Sequence, residues 1–177
     1  MRKSPGGGMG EWAELEERVA VIDACVEPIA RRPVDITDPD WVRKMREGPD
    51  PLDEAGVRAE AEAALRDLID RYERGGEPER AAVRALLSRR TSFRWAVAPP
   101  FAPTPEGFRT RLLWMSAVDQ GNDTRDELLT LHDLCARAHE SGVELGPILR
   151  EVAELSSAQD KYGMGSMRDI LRAAAGT

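Results

Sequence analysis

The chain has 177 residues, enough for one domain with a real core, and carries a formal net charge of -7 with a pI near 5.0. That acidic balance argues against sequence-independent nucleic-acid binding, which needs a basic surface. A composition rich in Ala, Arg, Glu and Leu and only 5% aromatic favours helices over strands. The expected fold is a compact all-α bundle of about six or seven helices with a Pro-rich crossing loop. Residues 1–10 read as a flexible N-terminal arm, and 11–177 as a single helical domain.

No apolar run approaches the roughly 18 residues of a membrane span. The longest, at 96–102, is interrupted by Pro99 and Pro100. The N-terminus, MRKSPGGGMG, has glycines where a secretory signal would have an apolar stretch. Cys25 and Cys135 lie far apart and read as two reduced thiols, so a cytoplasmic location without membrane contact is expected.

Trp12, Leu15, Val19, Ile22 and Val26 follow a 3-4-3-4 spacing, a helical stripe that Pro28 and Pro33 should end. Asp38-Pro39 looks like the start of a short helix bearing Trp41, Val42 and Met45. After a turn at 48–51, Asp53 can cap a helix buried through Val57, Ala61, Leu65, Leu68 and Tyr72, stopped by Gly75-Gly76. Its solvated side carries Arg58/Glu62 and Arg66/Asp70 at four-residue spacing. Pro78 opens the next helix, with Ala82, Val83, Leu86 and Leu87 inside.

Residues 91–97 (TSFRWAV) alternate enough to leave a short strand open. Helical continuation from Arg90 is the preferred reading, with Phe93 buried and Trp95 at the surface edge. The Pro-rich stretch 99–105 should be ordered, with Phe101 plugging the core. Thr104 begins a helix with Phe108, Leu112, Met115 and Val118 on one side.

The best-specified stretch is 124–155. Thr124 and Glu127 have capping-box spacing, and Leu128, Leu131, Leu134, Cys135 and Ala138 form one apolar face. Gly142 stops that helix, and Pro147 fits the first turn of an antiparallel partner facing inward through Ile148, Val152 and Leu155. Ser166 should cap a last helix with Met167, Ile170, Leu171 and Ala174 on its apolar face.

No constellation specifies a reaction. There is no G-x-S-x-G elbow, and pairs such as Glu151/Glu154 and Asp126/Glu127 read as solvated faces. His132, Cys135 and His139 share a helix face, as zinc ligands would. The histidines are ~10.5 Å apart along the axis, however, so no metal or other cofactor is expected. The YGMGS run before the last helix is a generic anion motif, making Gly163, Gly165, Ser166 and Arg168 candidate ligands with Lys161 beside them. It lacks the P-loop lysine and a preceding strand, and a simple turn with Ser166 as cap is the competing reading.

Residues 76–111 hold seven arginines against three carboxylates, a net of +4 that leaves -11 on the rest of the chain. Arg89, Arg90 and Arg94 interleave with Phe93 and Trp95, the composition of a protein-interface hot spot and also of a nucleic-acid patch. Internal pairing with the acidic helices is the alternative. The leading expectation is a small soluble interaction module, whether adaptor, inhibitor or immunity-type protein, that meets a protein partner through Arg89, Arg90, Arg94 and Trp95. An enzyme or ligand binder using the 163–166 turn is the alternative. Nucleic-acid binding through 89–94 is the weaker one, and none is expected. No motif encodes the partner's identity or an oligomeric state.

Overall fold

A computed structural model of the chain describes residues 7–119, 130–161, 163 and 165–176, with side chains from Gly10 onward. The described residues form ten helices and no strand, more helices than the six or seven expected. In chain order these are α1 (Gly7–Ala30), α2 (Trp41–Glu47), α3 (Pro51–Glu54), α4 (Arg58–Arg74), α5 (Glu77–Arg89), α6 (Thr91–Ala96), α7 (Pro105–Val118), α8 (Leu131–Ser141), α9 (Leu145–Leu155) and α10 (Met167–Ala175). None is long and apolar enough to cross a membrane.

The stripe Leu15, Val19, Ile22 and Val26 faces inward from α1. This helix begins at Gly7, inside the stretch read as an arm, and it runs past Pro28 to Ala30. A proline in the last turn removes only the N–H that would reach the carbonyl of residue 24, and the Arg31 N–H still closes on the Glu27 carbonyl at 2.9 Å. Asp53 does not cap α4. It lies within α3, where Asp50 accepts the Leu52 N–H at 2.9 Å, and its carboxylate holds the Arg58 guanidinium at 2.5 Å. The capping pair at Thr124 and Glu127 lies outside the described residues. The helix described there starts at Leu131, with Thr130 and Asp133 forming a box of the same spacing.

The centre of the molecule is α7. Every residue from 111 to 118 is buried, more than two turns with no solvent face. Its apolar members include Leu112, Leu113 and the fully enclosed Trp114. One wall is α4 and α5, the other α9, whose outer neighbour is α10. On the far side of α4 and α5, α1 packs against α3, α4 and α6. The hairpin expected to organise the chain therefore does not close on itself, because α9 lies against α7 and α10 rather than mainly against α8. Leu149, Val152 and Ala153 supply its buried side, with Ile148 and Leu155 only half-buried. Residue 170 also differs from expectation, since Ile170 is exposed and Leu171 alone in α10 is buried.

A polar seam crosses these layers. The Tyr72 hydroxyl donates to the Leu155 carbonyl at 2.9 Å and receives the Arg84 guanidinium at 3.2 Å, and Arg84 also pairs with Glu77. Ser116 and Ser156 join hydroxyls between α7 and the end of α9. Arg109 of α7 reaches Glu73 of α4 and Glu151 of α9, each at 2.7 Å. The α7 helix ends on Asp119 in left-handed conformation, its buried carboxylate paired with Lys161 at 2.6 Å. The Pro-rich connection is ordered, and Phe101 stands edge-on to the buried Phe108 at 5.2 Å while staying half-exposed itself.

Two glycines in helices should behave oppositely. A Cβ on Gly107 would stand 2.0 Å from the Ala102 carbonyl oxygen, whereas one on Gly146 meets only ordinary contacts. Gly107→Ala should lose ~1–3 kcal/mol through overpacking, and Gly146→Ala should gain up to ~1 kcal/mol, measured by chemical denaturation. The seam also predicts an acid dependence. Burial opposes the charge of Glu77, but Arg84 and Arg80 outweigh it and hold its carboxyl below the ordinary value of 4.5. Its contribution is complete above that value and is lost as pH falls through the lowered one, so Glu77→Gln should flatten part of the acid limb of a melting-temperature profile.

Candidate interaction groove

The chain between α1 and α3 cannot bury itself. Seven-residue α2 carries Trp41, Val42 and Met45 but has no buried residue. Local bonds hold the segment together. Thr37 donates its N–H and hydroxyl to Asp35, Asp40 donates its N–H to Asp38, and the Trp41 N–H reaches the Asp38 carbonyl at 3.0 Å. Arg43 bridges Asp40 and Glu47 along the outer face. Beside exposed charges such as Arg43, Arg46 and Glu47 the segment leaves apolar side chains outside: Ile36 is 73% exposed, and Val34, Val42 and Met45 are exposed as well.

Beside this surface lies a groove of about 410 Å³ between the end of α1, α2 and the start of α3. Its apolar lining includes Ile29, Pro33, Trp41, Met45, Pro51 and Trp95. Trp95 comes from α6, which is fixed from outside, since the Asp23 carboxylate of α1 accepts the Phe93 N–H at 2.8 Å and the Phe93 ring is fully buried. The groove's charges are Arg32, Lys44, Asp35, Asp38 and Glu54. Arg32 is closed by Glu54 at 2.5 Å and Lys44 by Asp38. The Thr37 hydroxyl and N–H hold the Asp35 carboxyl below the usual range, as Lys44 does for Asp38.

Of the four residues expected at a partner surface, only Trp95 lines this groove. Arg94 is 4% exposed and turned inward, because a helical 91–96 packed between α1 and α5 buries Ser92, Phe93, Arg94 and Ala96. Arg90 is half-buried and joins α5 to α6. Arg89 is exposed, 3.4 Å from Glu16, so internal pairing accounts for part of the basic segment. Trp41, Val42 and Met45 were legible as a short apolar face. Val34 and Ile36 were not, although a run bounded by Pro33 and Pro39 has no room to become a core helix.

The glycine turn is described at Lys161, Gly163, Gly165 and Ser166. The Gly163 and Gly165 N–H groups both donate to the Asp160 carboxylate, at 2.7 and 3.0 Å, so the chain supplies its own anion there. Ser166 exchanges bonds with Asp169 as the cap of α10. Arg168 donates to the Ala153 and Ser156 carbonyls, closing the C-terminus of α9. His132 and His139 are exposed, and burial raises the Cys135 thiol. Among the described residues no three His, Cys, Asp or Glu side chains converge for a metal. A second hollow, of about 430 Å³, contains Arg58, which Asp50, Asp53 and Glu62 surround.

The two aromatic residues of α6 should separate in a denaturation experiment. Phe93→Ala should lose ~3–5 kcal/mol as a fully buried ring, and Trp95→Ala about 1 kcal/mol as a half-buried one. Equal large losses would place Trp95 in the core rather than at the groove. The chain matches no protein-family model, no curated protein and no solved structure, so its function has to be argued from its own geometry.

Proposed function

We propose that the protein is an interaction module, of the adaptor, inhibitor or immunity type, and that it meets its protein partner through the α1–α3 groove. The observation that carries this reading is the exposed apolar surface of Val34, Ile36, Val42 and Met45 beside a groove lined by two tryptophans. Clustered exposed apolar residues beside a groove are typical of protein contact sites, and tryptophan is enriched among interface hot spots. The contact residues are thus Trp95, Trp41, Met45 and Ile36, with Arg89 and Arg90 left as peripheral cations.

A small ligand would fill the slot and leave Ile36 and Val42 in water, whereas a protein surface covers both. The test compares the wild type with the Ile36→Ser/Met45→Ser double variant in quantitative cross-linking capture from native lysate. Both residues are exposed, so the variant should melt within a few degrees of the wild type. A partner of this site should lose at least about tenfold in enrichment. If every captured protein is retained equally by the folded variant, the groove is not the contact site.

A further inference from the structure

Resting on that groove reading, we propose that the segment it takes is a basic amphipathic helix, one that lays aliphatic side chains against Trp41 and Trp95 and brings a lysine or arginine to Asp35. Charge selects this partner. Arg32 and Lys44 are each closed by a carboxylate, from Glu54 and Asp38. The Asp35 carboxylate takes the N–H and hydroxyl of Thr37, at 3.0 and 2.6 Å, and the Asp38 N–H, and among the described residues no cation pairs with it. The groove therefore presents two closed ion pairs and one uncompensated negative charge, on a chain whose net charge is -7. An acidic segment would meet that charge with repulsion, and a basic one would neutralise it. The face of Trp41 is also suited to a guanidinium or ammonium group.

The secondary structure narrows the mode of docking. The described residues contain no strand, so no sheet edge is offered for main-chain pairing. Affinity has to come from side chains set into the groove, as an amphipathic helix provides them. At about 410 Å³ the groove accepts a few such anchors, and the exposed Ile36 and Val42 are chain neighbours of the lining residues Asp35 and Trp41.

Two fluorescently labelled model helices with the same apolar pattern test this, one built from leucine and lysine and the other from leucine and glutamate. The wild type should bind the Leu/Lys helix at least about tenfold more tightly, with an affinity that falls as salt rises. Asp35→Asn, which keeps an acceptor for Thr37, should cut that preference by about three- to tenfold. Ile36→Ser/Met45→Ser should weaken binding of the Leu/Lys helix by at least about tenfold. Equal binding of both helices, each lost in the double variant, would falsify the basic partner while leaving the groove as the contact site. Binding of neither helix overturns the inference, and so does binding that the double variant leaves intact. A dimer seen by sedimentation and abolished in the double variant would replace the peptide with a second copy of this chain.

Discussion

The structure depends on a helix that has no outside. Residues 111–118 of α7 are buried all round, so every neighbouring element has to present a wall to it. Such a helix cannot be amphipathic, and its location in the centre follows from that. Its ends are correspondingly well specified. Thr104 accepts the Gly107 N–H at 3.1 Å, and Gly107 lets the Ala102 carbonyl pass where any side chain would collide. At the other end, Asp119 takes up the left-handed turn and the Lys161 ammonium compensates its buried charge.

Polar groups carried into this interior are matched across helices rather than within them. Tyr72 on α4, Arg84 on α5 and the Leu155 carbonyl of α9 share one set of bonds around α7. A hydroxyl and a guanidinium buried together resemble a catalytic pair on paper. No described groove opens onto Tyr72, and its phenol is pushed up by burial, which favours the neutral donor that the Leu155 carbonyl needs. The seam works as registration: a shift of α9 along α7 breaks several bonds at once, and a buried donor without an acceptor costs ~1–3 kcal/mol.

The opposite end of the molecule is built on weaker terms. Apart from the Lys44–Asp38 pair, whose aspartate is partly shielded, α2 is held by exposed ion pairs worth little individually. A short helix without a buried residue belongs to the low-stability part of a protein, where a partner gains most by completing the burial. The groove is not loose on all sides, however. Asp23 clamps α6 to α1, and Phe93 anchors that helix in the core, so Trp95 is presented from a rigid base to a more easily adjusted α2 wall.

The sequence by itself determined the helical class and most element positions, because those are set within a few residues. The α1 stripe, the buried side of α4, the glycine stop at Gly142 and the Thr104 and Ser166 caps all follow from local spacing and capping chemistry. Trp95 was legible as an edge residue on the same grounds, since helical rotation turns it away from Phe93. The tertiary structure alone decided which helix is central. Leu113, Trp114 and Ala117 lie off the expected face of α7, and only neighbours on all sides reveal why they are apolar. It also decided the partners of charge. The arginines at 89 and 94 and the glycine turn closed by Asp160 were candidate sites in one dimension, while Asp35 was not singled out. A side chain's availability depends on what folds against it from elsewhere in the chain, and local sequence contains no measure of that.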